Sequence, residues 1–127
     1  MLSLPYPPST NRYFRSFRGR IVRTKVANDY RDEVRARATD AGFVPHEGCV
    51  SVKLVLCPAR PKDWVKRERK DPDWDLTVRR VDLDNALKCA LDAMQGIAYD
   101  NDRQITRLEI SLGQPVEDGA LLVSVER

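Results

Sequence analysis

The sequence predicts an α/β chain of the α+β type: a single domain of order β-α-β-α-β-β, with a mixed or mostly antiparallel sheet packed against helices. Three observations carry this. At 127 residues the chain has material for one modest core. Two segments repeat apolar residues at helical spacing, and four others alternate apolar with polar residues, as strands with one buried face do. No internal repeat and no linker divides residues 1–127, so one domain is expected.

Each element has its own signal. Leu2, Leu4 and Tyr6 alternate with other residues and suggest a strand over Met1 to Tyr6; Pro7 and Pro8 end it, because proline lacks the ladder donor. Ser9 to Arg23 reads as a polar loop with Tyr13, Phe14 and Phe17 among arginines. Thr24 is a suitable N-cap, and Ala27, Tyr30, Val34, Ala38 and Ala41 recur near helical spacing, with Gly42 as a stop; a helix from about 25 to 41 follows. Val50, Val52, Leu54 and Leu56 form the next strand. Pro58 to Arg80 is rich in charge and proline and holds Trp64 and Trp74, which predicts a long charged loop; such loops are usually functional. Leu83, Leu87, Ala90, Leu91 and Met94 give the clearest amphipathic helix, closed by Gly96. Ile97 to Tyr99 is a short apolar exit before the polar turn Asp100-Asn101-Asp102. Leu108, Ile110 and Leu112 alternate, as do Leu121, Val123 and Val125, and Gln114 to Gly119 resembles a hairpin connection between them.

Composition narrows the function. A hydrophobic fraction of 42% and a charged fraction of 32% describe a soluble globular chain. No apolar run approaches the ~18 residues of a membrane span, and no signal-peptide pattern opens the sequence, so cytoplasmic residence and no membrane partner are expected. The three cysteines form no CxxC pair; Cys57 and Cys89 fall in apolar-patterned segments and read as core. One histidine, His46, excludes a multi-histidine metal site, so any metal must be a hard cation on carboxylates. The net charge is +3, unevenly spread: no acid precedes Asp29, while Arg12, Arg15, Arg18, Arg20, Arg23 and Lys25 all lie in that first stretch. Basic segments around an acidic site suit a polyanion substrate.

The acidic site is the stretch from Arg79 to Lys88. Asp82 and Asp84 stand two apart, which puts them on one side of an extended approach to a helix. One aspartate would serve to cap that helix. Two aspartates behind Arg79 and Arg80, with Lys88 one turn after Asp84, exceed what a cap requires. Asp100 and Asp102 form a second acidic group, which taken alone reads sooner as a solvated turn; whether the chain returns from Gly96 to bring it near the first is open.

These motifs resemble those of the RusA family of Holliday junction resolvases. Pro5-Tyr6-Pro7-Pro8-Ser9-Thr10-Asn11-Arg12-Tyr13 resembles the family's opening motif, Asp82-Leu83-Asp84-Asn85 with Lys88 its central motif, and Tyr99-Asp100-Asn101-Asp102-Arg103-Gln104-Ile105 its third. The third departs from the pattern, with the amide of Asn101 where an acid is usual. The resemblance implies a homodimer that makes paired symmetric nicks in four-way DNA junctions. It implies Asp82, Asp84, Lys88 and Asp102 as catalytic residues, with Mg2+ or Mn2+ on Asp82, Asp84 and Asp102, Asp100 being a further candidate, and no small-molecule cofactor. Asn11, Arg12, Tyr13, Arg15, Arg18, Arg20, Lys25, Arg79 and Arg80 are the expected DNA-binding residues, and Tyr13 or Phe14 is a candidate for stacking on an opened base. A branched or flap endonuclease of looser specificity and a non-catalytic DNA-binding module are the competing readings.

Overall fold

The computed structural model describes residues 1–127. Its centre is the strand β4 (Val50–Cys57), in which Val50, Val52, Leu54 and Leu56 are buried. Period two sends these side chains to one face. That face is covered by two helices, α2 (Lys25–Asp40) and α4 (Leu83–Met94), which contribute Ala27, Tyr30, Val34 and Ala38 from the first and Ala86, Cys89, Ala90, Ala93 and Met94 from the second. Small residues on α4 let the helix lie close to the sheet. Truncating Leu54 to alanine in this layer would cost about 2–5 kcal/mol. Burial also pushes the Cys89 thiol up to about 11, with the charge of Asp92 adding to it. Cys57 is buried as well, as its apolar setting predicted.

The sheet is mixed. Its order is β1 (Leu2–Leu4), β6 (Ala120–Glu126), β4, β5 (Ile105–Leu112). β5 runs parallel to β4, and β6 runs antiparallel to both β4 and β1. The expected hairpin between the last two strands is therefore corrected: β4 lies between them, and the connection from Gly113 to Gly119 crosses its end. Backbone bonds from Gly113 to Leu56 and from Val116 to Pro58 pin that crossing.

Helix boundaries follow their caps. Thr24 Oγ1 accepts from the Ala27 N–H at 3.2 Å, as its N-cap position predicted. Two loops contain more structure than expected. Within residues 9–23 lie a one-turn helix α1 (Thr10–Tyr13) and a separate two-stranded ribbon, β2 (Phe14–Phe17) with β3 (Arg20–Arg23). Arg18 and Gly19 both have positive φ, 49° and 76°, the geometry of the tight turn that matches a twisted ribbon. Within 58–80 lie α3 (Trp64–Lys70) and a 3-10 turn over Trp74–Thr77. Trp64 and Trp74 pack with ring centroids 6.0 Å apart, and Arg60 lies over Trp64 at 4.7 Å. The tryptophans hold this segment together.

Candidate active site

The site is built on α4. Asp82 is its N-cap residue, with extended φ −65° and ψ 147°. Its carbonyl accepts the first helical bond, from Ala86 N–H at 2.9 Å, but its carboxylate makes no capping bond. Asp84 stands in the first turn. Both aspartates are exposed, and neither enters an ion pair. The capping role that a helix start offers an aspartate is thus unused by Asp82.

Asp84, Lys88 and Asp92 follow at i, i+4 and i+8 and share one face of the helix. Asp92 differs from the other acids. Tyr13 Oη donates to it at 2.5 Å, and Arg23 donates twice, from Nε and Nη2, both at 2.8 Å. Arg31 Nε lies 4.0 Å away and makes no hydrogen bond, so it acts there by charge alone. Burial pushes the Asp92 carboxyl up, but the bonds from Arg23 and Tyr13 and the charges of Arg23 and Arg31 outweigh it and hold the carboxyl below its usual range. Tyr13 is raised in turn, first by burial and then by Asp92.

The chain does return along the helix. Ile97 and Ala98 N–H both donate to the Met94 carbonyl, and Gly96, at φ 84°, donates to Tyr99. Tyr99, fully buried, then donates its hydroxyl to the Leu91 carbonyl at 2.8 Å. This reversal carries Asp102 to the side of Lys88. A cavity of about 240 Å³ is lined by Lys88, Leu91, Asp92, Gln95 and Asp102. The Tyr99 hydroxyl is raised by burial first and then by the charges of Asp102 and Asp92, which puts both acids in its neighbourhood.

The third motif is held by two amides. Asn101 caps the turn Asp102–Gln104, its Oδ1 accepting from Arg103 N–H at 2.9 Å. Gln104 Oε1 accepts from the N–H groups of Asp100 and Asn101, and its Nε2 donates to the carbonyls of His46 and Gly48. Gln104 therefore ties the Asp102 turn to the segment that leads into β4. Asp100 is exposed and is not part of the lining beside Lys88.

Asp82, Asp84 and Asp102 offer hard oxygen donors, exposed and free of ion pairs, which suits Mg2+ or Mn2+. No three His, Cys, Asp or Glu side chains stand together in a set that could hold a metal ion; Asp102 lines the cavity beside Lys88, and Asp82 and Asp84 do not. Magnesium can be held by one or two carboxylates, with waters and substrate phosphate completing its octahedron.

Comparison with known proteins agrees with the motifs. The family model for Endodeoxyribonuclease RusA matches residues 5–126. The chain belongs to the RusA family. It is 32% identical over 122 residues to the crossover junction endodeoxyribonuclease RusA of Escherichia coli strain K12, covering 95% of this chain and 88% of that one. It is 31% identical, with the same coverage, to the crossover junction endodeoxyribonuclease of Enterobacteria phage 82.

In this RusA chain the expected DNA-facing residues divide. Asn11, Arg12, Arg15, Arg18, Arg20, Lys25, Arg79 and Arg80 are all exposed. Arg12, Arg79 and Arg80 line a cavity of about 760 Å³ together with Tyr6, Tyr30, Asp29 and Glu33. Arg15 and Arg18 lie over the Phe17 ring at 5.5 and 5.2 Å. Lys25 is paired with Asp29 at 3.0 Å. Tyr13 differs from the other expected residues: it has no exposed surface, and its hydroxyl is committed to Asp92, so here it packs and anchors. Phe14 is half-buried, edge-on to Tyr13 at 4.6 Å. Sequence reasoning missed Asp92 altogether. Its signal was present in the i, i+4, i+8 ladder from Asp84, but an aspartate late in a helix looks like solvated charge until its partners are known. Arg23 likewise sits in the basic stretch yet is spent on Asp92.

Proposed function

We propose that this chain resolves Holliday junctions as a homodimer, making paired symmetric nicks with Mg2+ or Mn2+ held by Asp82, Asp84 and Asp102. The observation that supports this most is the pair Asp82 and Asp84, carboxylates that no ion pair of the fold uses, one turn before a lysine that adjoins Asp102. The names of the relatives, crossover junction endodeoxyribonucleases, point to the same substrate. A four-way junction has near-twofold symmetry, which a twofold dimer matches with one site per cut strand.

When bound, the metal supplies Lewis-acid stabilisation of the developing phosphoryl charge and a more acidic water. Lys88 donates to a non-bridging oxygen of the scissile phosphate, on the same helix face as Asp84. Gln104 and Asn101 keep the Asp102 carboxylate in place through the turn they brace. Arg12, Arg15, Arg18, Arg20, Lys25, Arg79 and Arg80 contact backbone phosphates; of these only Lys25 is held in an ion pair, with Asp29. No helix is long and apolar enough to cross a membrane, which is compatible with work in the cytoplasm on DNA.

The test is cleavage of a synthetic four-way junction, a flap and a linear duplex, each with magnesium and with chelator. Magnesium-dependent paired cutting of the junction, with the other two spared, is the expected result. Equal cutting of flap and junction would assign a branched-DNA endonuclease instead. Tight binding without cutting would assign a non-catalytic module. Asn101 caps the Asp102 turn, a role that asparagine and aspartate fill equally well.

A further inference from the structure

Lys88 borders two cavities. The second, of about 300 Å³, lies between α4 and the β2–β3 ribbon and is lined by Thr10, Asn11, Phe14, Arg15, Ser16, Ile21 and Lys88. The two differ in chemistry. The first holds Asp92 and Asp102. The second has no acid, two cations, the apolar side chains of Phe14 and Ile21, and small polar groups in Thr10, Asn11 and Ser16.

The ribbon's register shows which way its residues face. Phe14 pairs with Arg23 and Ser16 with Ile21, so these four share one side. Arg23 on that side reaches Asp92 of α4. Ile21 therefore points toward the cleft above Lys88, and it is 76% exposed. A branched apolar side chain held over a cationic cleft, with no protein partner, is not explained by packing of this chain.

We propose that this cavity receives the nucleoside adjoining the phosphate held by Lys88, with Ile21 and Phe14 against the base and Asn11 and Ser16 at its polar edges. The inference rests on the nuclease reading for the role of Lys88. A nucleoside next to a phosphodiester has an apolar face, hydrogen-bonding edges and a nearby negative charge, and the lining offers a partner for each. The ribbon is fastened to Asp92 by Arg23, and α1, which leads into it, by Tyr13. Taking a base out of its stack costs least where its pairing is already disturbed.

The experiment uses four-way junctions with 2-aminopurine at one nucleotide at a time around the branch point, titrated with the full chain in EDTA. The base analogue brightens when it leaves the stack. The wild-type protein should brighten one position beside the branch. Ile21→Ala should abolish that signal and weaken junction binding about tenfold, while Ile21→Leu should keep both. Ile21 is exposed, so these variants fold. Full brightening with Ile21→Ala, or no brightened position with wild type, overturns the proposal. So does a loss of dimer in Ile21→Ala by light scattering, which would assign the side chain to a second copy. A wild-type protein that brightens the junction but does not cut it in magnesium would sink the nuclease reading while leaving the cavity's occupant supported.

Discussion

Asp84 and Asp92 lie two turns apart on one face of α4, with Lys88 between them, and their surroundings are opposite. Asp92 is partly buried and takes up bonds from Tyr13 and Arg23. Asp84 is exposed and has no ion-pair partner. The first carboxylate is consumed by the fold, since it fastens α1 and the β2–β3 ribbon to the helix. The second is free for the metal-holding role proposed above. A carboxylate whose bonding is complete has nothing left for a ligand.

The largest test of this contrast concerns Asp102, the acid that the sequence tied to the site only by resemblance. Asp102→Asn should lower junction cleavage about a thousandfold or more with junction binding nearly unchanged; cutting at the wild-type rate would remove Asp102 from the site. Lys88→Ala comes next. It should reduce cleavage about a hundredfold by losing a cation at the developing phosphoryl charge, and unchanged single-turnover rates would exclude that role.

Asp92→Ala belongs to the other side of the comparison. It strands the buried Tyr13 hydroxyl and should cost about 2 kcal/mol in chemical denaturation. The pH dependence has a definite sign. The folded Asp92 carboxyl lies below its unfolded value near 3.9, so its contribution is fully present above that value and is lost as pH falls through the lower, folded one. The acid limb of wild-type stability should therefore be steeper than that of Asp92→Asn; parallel limbs would show that Asp92 is not the fastening. The smallest effect is expected for Asn101→Asp, which keeps the cap and should change stability by less than about 0.5 kcal/mol. A gain in cleavage of an order of magnitude would instead show that an acid there acts on the metal.

Much of the framework was readable because burial leaves a period in the sequence. Val50 to Leu56 alternates and becomes the central strand, and the apolar stripe of Leu83 to Met94 becomes α4. The ribbon over 14–23 was hidden because six of its eight strand residues are exposed, and Phe14 and Val22, the two half-buried ones, are too few to generate a pattern. The helix Trp64–Lys70 has no buried residue either; its visible support is the Asp63–Arg67 pair at i, i+4. The final strands misled because a short turn-like connection resembles a hairpin, while the decision to insert β4 between them is made by distant pairing. At the site, Asp82, Asp84 and Lys88 were legible from local spacing. The approach of Asp102 was not, since it depends on Tyr99 folding back onto Leu91. Asp92 needed partners 69 and 79 residues away to reveal itself.

The most direct measurement sets Asp84→Asn beside Asp92→Asn, with thermal unfolding and magnesium-dependent junction cleavage recorded on both proteins. The effects should cross. Asp84→Asn should keep the wild-type melting temperature and lose cutting, and Asp92→Asn should melt lower while its remaining folded protein still cuts. An Asp84→Asn protein that cuts at the wild-type rate, or one that loses cutting only because it unfolds, would contradict the account.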